Sequence, residues 1–212
     1  MEEKQIKNMW NYYLSLEHDL SNTSRYVEPQ GQENVYSFEF AKILVLACTE
    51  AESAFKMLCK KIDGVEYGDM GKYKETILKK YPRIVEAEVY VSRLAKSIKP
   101  LFEWQSGPLS WWDAYGTIKH SRGNHFDRAT YYNAVQALAA LYILIMYLSK
   151  ISGHDIDDYH SDYITSQYAS GFLVAQAATH LPDFESEEKI GALVVKNEEL
   201  IINVESKQEL IL

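Results

Sequence analysis

Cysteine is scarce in this chain. Its 212 residues hold two, Cys48 and Cys59, both within one strongly apolar helical pattern. Their separation corresponds to about 16 Å along a helix, whereas a disulfide needs Cα atoms within about 7 Å, so they do not pair with each other. With no CxxC spacing, a zinc site built on them has no support either. They read as buried free thiols in a reducing compartment. Basic charge is also short. Lys and Arg number 22 against 30 Asp and Glu, a net charge of −8. That argues against a protein that coats nucleic acid, while leaving room for an enzyme that grips one RNA strand through a local basic spot. The most apolar run, ALAALYILIMYL at 137–148, falls short of the ~18 residues that suggest a membrane span and reads as a buried core helix. The opening MEEKQIKNMW is polar and mixed in charge, so no signal peptide is expected and the cytoplasm is the expected location. Walker, GxGxxG, GxSxG and HExxH motifs are absent, as are repeats and low-complexity stretches, so the commonest enzyme classes lose their sequence support.

What is present is the balance of an ordinary globular protein, 47% apolar and 25% charged. A chain of this length buries roughly 70% of its unfolded surface and needs no covalent staples. Residues 3–23 carry Ile6, Met9, Trp10, Tyr13, Leu16 and Leu20 in steps of three and four, an amphipathic helix. Ser37 is placed to cap a second helix that runs to about Ile62 and stops at Gly64, with a stripe broad enough for a central position. A short helix is expected over 72–80, ended by Pro82. AEVYVS at 87–92 is either a short strand or an extended linker. A helix over 110–120 follows, then a break around Gly123, then a long helix from about Arg128 to Lys150 with Asp127 as its expected cap. The pattern predicts a mainly α chain: residues 1–150 form a helical bundle, and residues 151–212 form a short helix or connector plus a small β-hairpin. The hairpin is expected from the β-branched runs 190–195 and 200–204 around KNEE, with 172–174 as a candidate third strand.

Chemistry concentrates in one turn. Lys119, His120, Arg122 and His125 fall within seven residues between two helices, and Trp112, Tyr115 and Asn124 flank them. Rigid flanking helices make such a turn a sound place for a site. Metal-free cleavage of RNA needs a base for the 2′-OH proton, an acid for the leaving oxygen and a fixed cation for the phosphorane. Histidine suits the proton transfers and arginine the phosphate.

The long-helix, polar-turn, long-helix arrangement, with the segment Lys119-His120-Ser121-Arg122-Gly123-Asn124-His125, resembles the HEPN superfamily, small helical bundles that include many metal-independent ribonucleases. Their motif is an Arg, four to six residues, then a His, at the junction into the last long helix. Here His125 matches the family histidine, Lys119 stands where the family has Arg, and His120 is the polar residue that follows it. The resemblance covers roughly residues 1–150. It implies a HEPN-like bundle and a metal-independent endoribonuclease, a toxin or anti-phage effector, without a cofactor. In it His125 serves acid–base catalysis, Arg122 and Lys119 stabilise the phosphate, His120 assists, and Trp112, Tyr115 and Asn124 bind substrate. It also implies RNA as substrate and a homodimer, because two protomers usually complete such a site. The alternative is a non-catalytic HEPN-like module that binds a nucleotide, RNA or a protein partner, consistent with Lys in the Arg position.

Plainer roles stand beside these. Histidines in such a turn also suit a helix C-terminus. Of Trp111 and Trp112, one ring in the core and one at a rim is the usual division. Glu52 and Lys56 are spaced for an ordinary i,i+4 ion pair, although they and Glu50 are also candidates to face the turn. His154 and Asp158 are spaced to share a metal, but no third ligand is evident, so HDIDDYH reads as an acidic connector. The 16 tyrosines favour a partner surface.

Overall fold

The computed structural model describes residues 2–121, 123–153 and 181–184. They form five helices, α1 (Glu2–Thr23), α2 (Phe38–Asp63), α3 (Met70–Lys80), α4 (Ser110–Ser121) and α5 (Tyr131–Ser152), with a two-stranded antiparallel sheet, β1 (Val89–Val91) and β2 (Lys96–Ile98), between α3 and α4. The chain is therefore mainly helical, as its periodicity predicts. The expected C-terminal hairpin, the 172–174 strand and the HDIDDYH segment lie outside the described residues.

α5 is apolar around almost its whole circumference and is buried accordingly, packing against α1, α2 and α4. Its 22 residues are long and apolar enough to cross a membrane, a length that the 137–148 run alone understates; 83% of its most apolar window is buried inside the bundle. The α1 stripe meets it through rings: Trp10 stacks on Tyr13 at 5.2 Å, and Tyr13 lies 5.5 Å from Tyr142. Glu17, buried in the same helix, accepts a hydrogen bond from the Tyr13 hydroxyl. Burial, with the Glu17 carboxylate behind it, pushes the Tyr13 phenol well up.

The caps of α2 follow the sequence. Ser37 Oγ accepts from the Phe40 amide at 3.1 Å, and Gly64 closes the helix at φ +83°, a left-handed conformation that glycine adopts without a Cβ penalty. α3 starts earlier than its apolar residues suggest, because the Asp69 carboxylate caps it by accepting from the Lys72 amide. AEVYVS contains the first strand. Its partner, Lys-Ser-Ile, carries one buried residue and so has no apolar run to mark it.

The start of α5 departs from expectation. Asp127 does not cap it; Phe126–Arg128 is a separate 3-10 turn, and the cap is Thr130, whose Oγ1 accepts from the Asn133 amide at 3.1 Å. Long-range pairing is the reason. Tyr131 and Tyr132 donate their amides to the carbonyls of Val35 and Glu33, and Ser37 donates to Ala129. These bonds hold the chain extended at Thr130, and they supply acceptors for two amides that a helix N-terminus leaves unpartnered. Phe126 packs over the junction, 5.7 Å from Tyr36 and 4.6 Å from Phe38.

Both cysteines are buried free thiols in α2, and burial raises both, Cys59 to about 12. Neither should react with iodoacetamide in the native protein at about pH 8, near the ordinary thiol range, and both should react in denaturant. Mass spectrometry of the alkylated chain checks this. Thr130→Ala should lower stability by about 1 kcal/mol in urea unfolding. Asp127→Ala, at an exposed residue, should change it by less than about 0.5 kcal/mol; the reverse order would return the cap to Asp127.

Candidate functional site

The floor of the site is aromatic. Phe55 of α2 stacks on Tyr73 of α3 at 5.5 Å and lies 5.4 Å from Trp104 and 6.2 Å from Trp112. The two adjacent tryptophans of α4 divide as expected. Trp111 is fully buried, its indole N–H donating to the Pro100 carbonyl at 2.8 Å, and Trp112 is half-buried, with its ring 5.1 Å from Tyr115.

Above this floor opens a cleft of about 920 Å³. One wall is α4, which presents Trp112, Tyr115 and Lys119 on one stripe and Asp113, Thr117 and His120 on the next. These are the i, i+3 or i+4, i+7 spacings that share a helix face. Gly116 lies between the stripes, and a Cβ there would meet nothing within 4 Å. The second wall is the start of α3, with Asp69, Met70 and Tyr73, and Glu52 of α2 reaches the cleft beside it. The third is the turn into α5, with His125 and Arg128.

The structure brings Trp112, Tyr115, Lys119 and His120 of α4 to the same cleft as His125 of the turn that follows it. Asn124 is exposed and not among the walls, and Arg122 lies outside the described residues. Arg128 and Asp113 are cleft residues that sequence reasoning misses; for Arg128 the structure shows why. It falls at the C-terminal end of a 3-10 turn flanked by His125, and three residues per 3-10 turn set positions i and i+3 on the same side. Assigned to the first turn of an α-helix, it gives no such signal.

The imidazoles of His120 and His125, the Arg128 guanidinium and the Asp113 carboxylate make no hydrogen bond or ion pair among the described residues, and all four residues are exposed. The other charges are engaged. Asp69 caps α3, and Glu52 pairs with Lys56 at 2.7 Å, the i,i+4 pair its spacing predicts. Glu50 lies instead in a different recess with Lys56 and Lys60, and burial raises its carboxyl. The Lys119 ammonium donates to the Tyr115 hydroxyl at 3.2 Å and lies 5.3 Å from that ring's centroid. The hydrogen bond to Tyr115 is the main reason its pKa is raised above the ordinary lysine value, with a smaller contribution from the Glu52 charge. No group of three His, Cys, Asp or Glu side chains able to hold a metal occurs among the described residues.

The arrangement offers two exposed imidazoles for proton transfer, two cations for an anionic centre and a partly open indole for stacking. Comparison of the chain with protein-family models, curated proteins and solved structures returns no match.

Tyr115→Phe removes the acceptor that holds the Lys119 ammonium and should lower its pKa toward the ordinary lysine value. An NMR titration of the Lys119 side chain reads this; an unchanged or higher value would mean that Tyr115 does not hold the charge.

Proposed function

We propose that this cleft cleaves RNA without a metal, as a HEPN-like endoribonuclease. The observation that carries the reading is the convergence of His120, His125, Lys119 and Arg128 on one cleft at the junction into the long core helix. The helical bundle and the position of the polar turn between α4 and α5 support it, as does the match of His125 and Lys119 to the spacing of the family motif.

In this reading one imidazole takes the proton of the 2′-OH as that oxygen attacks phosphorus. The other gives a proton to the departing 5′-oxygen as the P–O5′ bond breaks. The products are a 2′,3′-cyclic phosphate and a 5′-hydroxyl. Arg128 presents its planar fork to the phosphorane, the role that the family motif gives to its arginine and that Lys119, tied to Tyr115, performs less directly. Trp112 offers a ring face for a base beside the scissile bond. A toxin or anti-phage role and a homodimer that completes the site belong to the same proposal.

A second reading, a non-catalytic module that binds a nucleotide, RNA or a protein partner, is favoured by one observation. Lys119 is held against Tyr115, and three acids share the cleft with the cations, an arrangement suited to recognition as much as to catalysis.

Purified protein incubated with total and transfer RNA in EDTA separates the two. The ribonuclease reading expects cleavage that leaves 2′,3′-cyclic phosphate ends and falls at least about 100-fold in His125→Ala, the usual loss on removing a general acid or base. Arg128→Ala should fall comparably. RNA that is bound but left intact by the wild type, with Arg128→Ala weakening the binding, would overturn the enzyme and establish the module.

A further inference from the structure

The charge on the α4 wall of the cleft changes sign along the helix. Asp113 stands in the first turn and Lys119 and His120 in the last, and His125 and Arg128 continue the cationic end from the turn beyond. The seven-residue step from Asp113 to His120 is about 10 Å at 1.5 Å per residue. Between the two ends the wall carries a half-buried indole, Trp112, and a position with no side chain, Gly116. Packing does not ask for glycine there. It lies inside a helix, where glycine is less stable than alanine, and a Cβ would meet nothing within 4 Å. Its effect is open space one helical turn from both Trp112 and Asp113.

Asp113 is the carboxylate that the fold does not use. Of the three acids in the cleft, Asp69 caps α3 and Glu52 pairs with Lys56, whereas Asp113 makes no hydrogen bond or ion pair among the described residues. A first-turn acid also suits the helix dipole; this one faces a cleft whose other end is cationic. An ionised carboxylate only accepts hydrogen bonds, and it does so through two oxygens. Among the RNA bases, guanine presents two adjacent donors on its Watson–Crick edge, N1–H and the N2 amino group. Adenine and cytosine offer one amino group beside a ring nitrogen that is itself an acceptor. Uracil offers one N–H between two carbonyls. Each of these three sets a lone pair against the carboxylate. Unpaired bases are read on such edges while their faces stack on aromatic side chains, and a charge-assisted pair of bonds is the strong form of that contact.

We infer that the cleft selects guanine. Asp113 accepts from N1–H and the N2 amino group of an unpaired guanine stacked on Trp112 in the space that Gly116 leaves, and the phosphate of that nucleotide lies at the cationic end. Asp113 is then a specificity-determining residue, and the substrate class is unpaired RNA containing guanosine. The inference rests on the reading of the cleft as an RNA site, and it applies to an enzyme and to a binding module alike.

The test titrates the full chain with the 3′-monophosphates of guanosine, adenosine, cytidine and uridine in a calorimeter, which reads binding without cleavage. The guanosine nucleotide should bind about tenfold more tightly than the other three, the discrimination expected of one good bidentate contact. Asp113→Asn, at an exposed residue, exchanges one acceptor for a donor and should abolish that preference without weakening the other three nucleotides. Arg128→Ala should weaken all four alike, because it meets the phosphate and not the base. Equal affinity of the wild type for all four overturns the guanine selection and leaves the RNA reading standing. A guanine preference that survives in Asp113→Asn overturns the role of Asp113. Failure of the wild type to bind any of the four overturns the RNA reading and the inference together.

Discussion

The burial of α5 on all sides governs this structure. A helix whose every face is apolar has to be enclosed, and α1, α2 and α4 supply the enclosure. α2 contributes the widest stripe, α1 the paired rings of Trp10 and Tyr13, and α4 the buried side that carries Trp111, Ala114 and Ile118. Helix α4 is thereby held with Trp111 inward and Trp112 at the rim, and its next faces turn toward the cleft.

The cleft depends on a second constraint, the backbone pairing between residues 33–37 and 129–132. It joins the entries of α2 and α5 and delays the start of α5 to Tyr131. The residues before it are left as a 3-10 turn rather than absorbed into the helix. That turn carries His125 and Arg128 to the same opening as Lys119 and His120. Two of the acids there are engaged, Asp69 in capping α3 and Glu52 in pairing with Lys56, which leaves the imidazoles, Arg128 and Asp113 without a hydrogen bond or ion pair among the described residues.

Asp183 shows the same dependence on the core helix from its other end, where its carboxylate accepts from the Tyr147 hydroxyl at 2.7 Å. Tyr147 is two turns from Gly153, where α5 ends in a left-handed residue at φ +70°. The cleft gathers groups from α2, the start of α3, α4 and the turn into α5; Asp183 is held by groups from a 3-10 turn and α5. Both lie at an edge of the buried helix.

Much of the fold is legible in the residues alone. The apolar spacing of α1, α2 and α4, the Ser37 cap, the Gly64 stop and the buried cysteines are local properties, encoded by a 3.6-residue period and by side chains that bond to their own neighbours. The clustering of Lys119, His120 and His125 is visible in the same way. Tertiary structure alone decided that Thr130 and not Asp127 begins α5, that Lys-Ser-Ile becomes a strand, that Glu52 and Arg128 line the same cleft as the turn's histidines, and that Asp183 pairs with Tyr147. In each of these the deciding partner is distant in sequence or hidden by an irregular turn. Periodicity records which face of a segment is apolar, and it carries no mark of which remote amide, hydroxyl or charge that face will meet.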